Sequence, residues 1–193
     1  MRAVLMKEKG LLEVEKISNP RPLSKEALVK VGRAGICGSD LVTLASGRPK
    51  ELPRILGHEF AGTLQELGEN TNNPFKPGDR VVAEPISGCG KCRSCRNGKY
   101  NVCNKRVILG VEVDGVFAQY VRVPLENLLK IPNEVSFEEA ALVQPVAVAV
   151  HAFRRTAFQG GGTAAVLGAG PIGALLCLLA RASGGTTVVV SEP

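Results

Sequence analysis

The chain has 193 residues, of which 45% are hydrophobic and 22% charged, so wholesale disorder is excluded and a buried core is expected. The formal net charge of +6 is local, because six basic residues and no acidic residue lie between Cys89 and Arg106. The N-terminal segment lacks the apolar stretch and cleavage site of a signal peptide, which predicts a cytoplasmic location.

Short apolar runs separated by glycine and proline turns fill the first 130 residues and predict a mainly β domain, built as a barrel or sandwich. The predicted strands comprise residues 3–6, 11–17, 27–31, 60–67, 80–83, 116–123 and 128–131. Ser136 and Glu139 then form a capping box that predicts a short helix ending at Val143. Because proline is tolerated in the first turn of a helix but not in its interior, a second helix is predicted from Pro145 to about Arg155.

The pattern changes after three consecutive glycines at 160–162. A strand, a glycine turn, a helix and a second strand follow, at 164–167, 168–170, 171–183 and 188–190. This order predicts the first elements of a parallel α/β domain.

The uncharged run 160–180 is long enough to span a membrane. Three glycines and a proline within 168–173 disfavour a continuous spanning helix, so a membrane partner is not expected. We therefore expect two domains, at 1–155 and 156–193, of which the second is incomplete.

The densest group of potential metal ligands is a cluster of four cysteines. They are Cys89, Cys92, Cys95 and Cys103, in the spacing C-x2-C-x2-C-x7-C. Four thiolates this close in sequence favour a closed tetrahedral zinc site over disulfides, whose geometry disfavours such crowded pairs. A closed site leaves no open coordination position, so the predicted role is structural. Much of the local positive charge then offsets an anionic zinc–thiolate centre.

A second set of metal-ligating residue types comprises Cys37 in GICGSD and His58 and Glu59 in GHE. Thiolate, imidazole and carboxylate are the ligand types of catalytic zinc sites, which keep one position open for water or substrate. A lone cysteine or histidine is more often simply buried, so the spacing alone leaves both interpretations open.

A glycine-rich turn lies between a predicted strand and a predicted helix. Its candidate cofactor-binding residues are Gly168, Gly170, Pro171, Ile172 and Gly173. The glycines allow a tight turn and the close approach of a pyrophosphate to the helix N-terminus. Glu192 follows the next strand and can accept a hydrogen bond from an adenosine ribose hydroxyl. Because a carboxylate there would repel a 2′-phosphate, NAD is predicted as the cofactor rather than NADP.

In combination, the motifs GICGSD, GHEFAG, KPGDRVV, CRNGKYNVC, GVFAQYV and GAGPIG resemble those of the zinc-containing medium-chain dehydrogenases. Within that family, the chain is most similar to the sorbitol, threonine and butanediol dehydrogenase group. The resemblance covers the whole chain and implies an α/β protein, with a β-rich GroES-like catalytic domain followed by the truncated start of a Rossmann domain. It also implies oxidation of a secondary alcohol or polyol with hydride transfer to NAD, by an enzyme of which this chain is an N-terminal fragment, inactive alone.

The resemblance further implies roles for the residues that match the family motifs. Cys37 and His58 become catalytic zinc ligands, with Glu59 a ligand or close neighbour. Ser39 would accept the proton of the substrate hydroxyl. Asp40 would orient the imidazole of His58, since a fixed tautomer binds a metal better.

Two positions depart from the family pattern. Gln144 stands before Pro145 where many relatives have an acidic residue, and Val42 stands where many have a histidine. Because an amide oxygen is a poorer zinc ligand than a carboxylate, we expect Gln144 to neighbour the catalytic zinc rather than to ligate it permanently. Val42 leaves Ser39, water or cofactor hydroxyls to carry the proton.

The main alternative is a non-catalytic zinc-binding module. In it, the basic segment around the four cysteines, called the cysteine lobe, contacts nucleic acid. Tyr100 is the only aromatic residue of that lobe able to stack on a base, and the alternative gives GHE and GAGPIG no role. The expected partner is therefore a small alcohol or polyol and not nucleic acid. The family further implies a homo-oligomer for the full-length protein.

Overall fold

The computed structural model describes residues 1–48, 51–69 and 73–192. The chain divides into two compact units, Met1–Ala141 and Leu142–Pro193. The helix at Val143–Arg154 belongs to the second unit. The expected domain boundary after residue 155 remains a prediction for the whole protein.

The described part of the first unit contains ten strands, three α-helices and two short 3₁₀ helices, Tyr100–Val102 and Leu125–Asn127. The strands are β1 (Arg2–Glu8), β2 (Leu11–Lys16), β3 (Glu26–Gly35), β4 (Arg54–Ile55), β5 (Glu59–Leu67), β6 (Arg80–Ala83), β7 (Ile86–Ser87), β8 (Val107–Ile108), β9 (Tyr120–Pro124) and β10 (Leu128–Lys130). The helices are α1 (Gly38–Ser46), α2 (Arg93–Arg96) and α3 (Phe137–Ala141). The second unit contains α4 (Val143–Arg154), β11 (Thr163–Leu167), α5 (Pro171–Ala182) and β12 (Thr187–Ser191).

An antiparallel sheet with the strand order β10-β6-β5-β3-β9 forms the centre of the first unit. Successive side chains of a strand point to opposite faces, so each strand contributes to two cores. Phe60 and Val81 pack in the larger core, whereas Ala61 and Val82 face the other way, toward α3. The sheet is therefore buried on both faces along β5 and β6.

Two smaller sheets complete the first unit. One has the order β2-β1-β4 and packs Leu5 against Ile55. The other pairs β7 with β8 and closes the base of the loop that carries the four cysteines. Asn127 stabilises the base of this loop, because its Nδ2 donates hydrogen bonds to the carbonyls of Glu84 (2.7 Å) and Ile86 (3.3 Å).

The second unit is a strand–helix–strand arrangement. β11 and β12 pair in parallel, and α5, which connects them, packs on both strands and on α4. The uncharged run 160–180 thus forms a strand, a turn and a helix, as predicted. None of the helices in the described ranges is long and apolar enough to cross a membrane.

The structure moves the boundaries of several predicted elements and adds a helix, α1, that was not predicted. α4 begins at Val143, which places Pro145 inside its first turn, where the missing N–H costs no helical hydrogen bond. The predicted strand 116–123 is replaced by the shorter β9, because the N–H groups of Val116 and Phe117 bond to the carbonyls of Gly57 and Leu56 instead. α1 was not predicted, although Gly47 ends it in the left-handed conformation that glycine favours.

Candidate metal centres and cofactor turn

Cys37 lies between the end of β3 and the start of α1, where it is the N-cap residue. Asp40 occupies the third position of the helix, and its Oδ2 accepts a hydrogen bond from the Cys37 backbone N–H at 2.9 Å. A carboxylate in the first turn is also stabilised by the helix dipole. Asp40 is buried, so the loop that carries the Cys37 thiol is held by a protein contact shielded from water.

His58 lies just before β5, with its side chain only 11% exposed. Its Nδ1 is 3.5 Å from Oδ1 of Asp40 and makes no hydrogen bond within the described part of the chain. Burial lowers the pKa of His58, but the nearby Asp40 carboxylate, followed by Cys37, outweighs this effect and raises the pKa overall. The two oxygens of Asp40 therefore face the Cys37 backbone and the His58 imidazole.

The backbone around His58 is fixed by an unusually close approach of two segments. The N–H of Val116 donates to the carbonyl of Gly57 at 3.1 Å, and the N–H of Gly115 donates to the carbonyl of Ile55 at 2.7 Å. An added Cβ on Gly115 would collide with the backbone carbonyls of Leu56 and Gly57. Glycine at 115 is thus required for this approach, which sets the position of the imidazole.

Glu59 is the first residue of β5 and pairs with Gly35, the last residue of β3. Its side chain is buried, and its Oε2 lies directly over Gly35. One ligand atom from each of Cys37, His58 and Glu59 lies within 4.8 Å of the others. One sulfur, one nitrogen and one carboxylate oxygen at this spacing fit the donor set of an open zinc site.

Two further residues predicted for this site, Ser39 and Gln144, lie on helices. Ser39 is exposed on α1, two positions after Cys37. Gln144 is half-buried on α4, in the second unit. The roles of Ser39, Asp40, Gln144 and the metal ligands remain predictions.

The four cysteines of the other cluster converge on one point. All four are free, and their sulfur atoms lie within 4.8 Å of one another. Cys103 is fully buried, and Sγ of Cys92 is 3.8 Å from its Sγ. The backbone N–H groups of Cys95 and Lys105 point at the sulfurs of Cys92 and Cys103, at 3.4 and 3.3 Å. This set of sulfur donors fits a closed tetrahedral zinc site.

The thiols of the cysteine cluster differ in acidity. Hydrogen bonds from the backbone N–H groups of Lys91 and Cys92 lower the pKa of Cys89 to about 6. Desolvation, with a hydrogen bond to Cys92, raises the pKa of Cys95 to about 11. At neutral pH the metal-free cluster therefore contains thiolate and thiol together, and a metal that takes four thiolates must displace protons.

Zinc affinity of the four-cysteine cluster should consequently rise with pH, with a steeper dependence below pH about 6. Because the pKa of Cys89 is lowered, its thiolate is present above pH about 6 and is lost as the pH falls through that value. Binding then displaces about one more proton than at neutral pH. Competition with a chromophoric chelator across this range measures how zinc affinity changes with pH. Equal slopes of zinc affinity against pH on both sides of pH about 6 would contradict the lowered pKa of Cys89.

The glycine turn joins β11 to α5. Gly168 has φ of 100°, a left-handed conformation, and a Cβ on Gly173 would collide with the Gly168 carbonyl. Gly170 caps α5, an added Cβ on it would meet nothing within 4 Å, and Pro171 follows as the first helical residue. The three glycines thus provide the tight turn, an open approach to the helix N-terminus and close strand–helix packing, as a dinucleotide pyrophosphate requires.

Glu192 follows β12 and reaches back to this turn. Its Oε2 accepts a hydrogen bond from the backbone N–H of Ala169. The side chain is otherwise exposed. The carboxylate thus lies beside the turn, where sequence reasoning predicted contact with the ribose.

Sequence reasoning missed the contributions of Gly35 and Gly115. Neither has the positive φ that marks a turn glycine. The requirement for glycine comes from groups on other strands and segments. No local pattern along the chain signals such a requirement.

The described chain thus combines a β-rich unit, which contains two candidate zinc sites of different donor type, with a dinucleotide-type glycine turn further along the sequence. Residues 24–133 match the alcohol dehydrogenase GroES-like domain. The chain therefore belongs to this alcohol dehydrogenase family, among its zinc-containing medium-chain alcohol and polyol members.

Individual relatives agree with this placement. The chain is 40% identical to sorbitol dehydrogenase of Bacillus subtilis strain 168, over 100% of this chain and 56% of that protein. It is also 40% identical to L-threonine 3-dehydrogenase of Pyrococcus horikoshii, over 94% of this chain and 53% of that protein. A structure from Sinorhizobium meliloti 1021, solved with NADP, superimposes with a TM-score of 0.93 at 36% identity, covering 99% of this chain and 56% of that one. The chain thus spans about half the length of these proteins.

Proposed function

We propose that the protein containing this chain is a zinc-dependent dehydrogenase that oxidises a secondary alcohol or polyol and transfers hydride to NAD. The convergence of Cys37, His58 and Glu59 within 4.8 Å is the observation that carries the proposal. The similarity to a sorbitol dehydrogenase and a threonine 3-dehydrogenase supports the substrate class. The second cluster, of four cysteines, would hold a structural zinc.

Cys37, His58 and Glu59 would hold the catalytic zinc, which supplies Lewis-acid stabilisation of an alkoxide when bound. Asp40 keeps Nδ1 of His58 on the carboxylate side, which leaves Nε2 as the nitrogen available to the metal. Ser39, exposed two positions after Cys37, would accept the proton of the substrate hydroxyl. Glu59 would be the third protein ligand and Gln144 a neighbour, because a carboxylate is the stronger ligand.

The cofactor would bind at the glycine turn, with its pyrophosphate at the N-terminus of α5. The five predicted contacts are Gly168, Gly170, Pro171, Ile172 and Gly173. Glu192, beside the same turn, supports NAD as the preferred cofactor.

Replacing Glu192 should relax the discrimination against NADP. Glu192→Gln keeps a hydrogen-bond acceptor for Ala169 but removes the charge, so kcat/KM with NADP relative to NAD should rise by about ten- to a hundredfold. Glu192→Ala should raise the same ratio and also weaken the use of both cofactors, because the turn loses its hydrogen bond. Steady-state kinetics with both cofactors measure the ratio. A wild-type preference for NADP, the cofactor in the Sinorhizobium meliloti structure, would overturn the assignment.

The proposed activity is tested by following NADH formation by the zinc-loaded full-length protein with a panel of polyols, secondary alcohols and L-threonine. Oxidation of at least one of these, lost on zinc removal and restored by zinc, is expected. No NADH formation with any of them, despite full zinc occupancy, would refute the proposal.

The expected partners of the protein follow from this activity. A small alcohol or polyol would be the substrate, and the full-length enzyme would be a homo-oligomer in the cytoplasm. The nucleic-acid module is the weaker alternative: it explains the basic cysteine lobe, but gives no role to the site at Cys37 or to the glycine turn. Salt-sensitive retardation of short DNA or RNA would favour that alternative.

A further inference from the structure

Gly35 and Glu59 face each other across β3 and β5, beside the candidate catalytic site. A Cβ added to Gly35 would collide with Oε2 of Glu59 and would lie 3.2 Å from its Cβ and 3.4 Å from its Cδ. The Glu59 side chain is buried, 6% exposed. The carboxylate therefore occupies the space that any other residue at position 35 would fill.

The backbone conformation does not explain the glycine. Gly35 is not among the glycines with positive φ, so an L-residue could adopt its conformation without strain. The closest atom that opposes a side chain at 35 belongs to the Glu59 carboxylate, the end of a flexible side chain. Gly38, on the other side of Cys37, would tolerate a Cβ with nothing within 4 Å.

We propose that Gly35 is a positioning residue for the third metal ligand. Its missing side chain provides the space in which the Glu59 carboxylate reaches the sulfur of Cys37 and the imidazole of His58. A methyl group at position 35 displaces the carboxylate from that place by rotating the Glu59 side chain, while its 3.2 Å contact with the Glu59 Cβ requires a shift of only a few tenths of an ångström between the strands. Gly35 thus acts more on metal affinity than on folding. This inference rests on the proposed catalytic zinc site.

The test compares zinc binding by the full-length wild type, Gly35→Ala and the matched control Gly38→Ala. In Gly35→Ala, zinc affinity at the Cys37 site should fall by about ten- to a hundredfold, the range for groups that orient a ligand. Zinc in the four-cysteine cluster should be retained, and the thermal unfolding midpoint of the metal-free protein should stay near that of the wild type. Gly38→Ala should match the wild type in both. Chelator competition gives the affinities and metal analysis gives the stoichiometry.

A double-mutant cycle separates this role from a structural one. If Gly35 acts through Glu59, adding Gly35→Ala to Glu59→Ala should cause no further loss of zinc affinity. A comparable further loss in the double variant, or a folding defect present in both backgrounds, would show that Gly35 serves strand packing and would overturn the inference. Wild-type affinity in Gly35→Ala would overturn it as well.

The proposed catalytic site fails by a different result. A wild type that binds only one zinc, with no change in Cys37→Ser, would refute the site and the inference together. A wild type that binds two zinc ions and loses one in Cys37→Ser, but keeps both at full affinity in Gly35→Ala, would refute only the role of Gly35.

Discussion

In the full-length protein, Cys37→Ser should reduce the zinc content from two ions per chain to one and lower the proposed alcohol oxidation at least about a hundredfold. The substitution removes the only thiolate of the proposed catalytic set, and groups that merely orient such ligands already contribute about ten- to a hundredfold. Serine is itself a favoured N-cap residue, so the start of α1 should be preserved. The loss should therefore reflect the metal site rather than the local fold.

Metal analysis after dialysis against a weak chelator, together with steady-state kinetics, measures both effects. Cys177→Ser is the matched control, because Cys177 is half-buried on α5 and belongs to neither metal cluster. It should leave the zinc content unchanged. Two zinc ions retained in Cys37→Ser, with near-normal turnover, would contradict the assignment.

The second large effect is expected in the cysteine lobe, residues 88–107. Cys103→Ser should lower zinc affinity of the four-cysteine cluster at least about a hundredfold and open the lobe. Cys103 is the only buried residue of this segment, so apolar burial contributes little to holding the lobe together. In such a segment the free energy of metal binding is the free energy of folding.

Limited digestion with trypsin measures the opening, since six exposed lysines and arginines lie in the lobe. They are Lys91, Arg93, Arg96, Lys99, Lys105 and Arg106. Cys103→Ser, and wild type treated with a strong chelator, should be cut there rapidly, whereas zinc-loaded Cys37→Ser should resist. A digestion pattern for Cys103→Ser that matches that of the wild type would show that zinc does not support the lobe.

The sequence by itself determined the features whose residues are close together along the chain. The spacing of the four cysteines predicted a single cluster, because so short a loop keeps their sulfur atoms near one another. The glycine turn between β11 and α5 was also predicted, since tight turns and helix starts depend on local backbone geometry. The family itself was recognised from these motifs in combination.

Only the tertiary structure decided how residues from distant segments meet. Pairing of β3 with β5 brings Gly35 opposite Glu59, and with them Cys37 close to His58. The spacing of Cys37 and His58 alone left open whether they were ligands or simply buried. The space that the Glu59 carboxylate occupies could not be predicted either, because it exists only where Gly35, on the neighbouring strand, has no side chain. Strand register and burial are set by the packing of the whole sheet, so no local pattern along the chain could have revealed them.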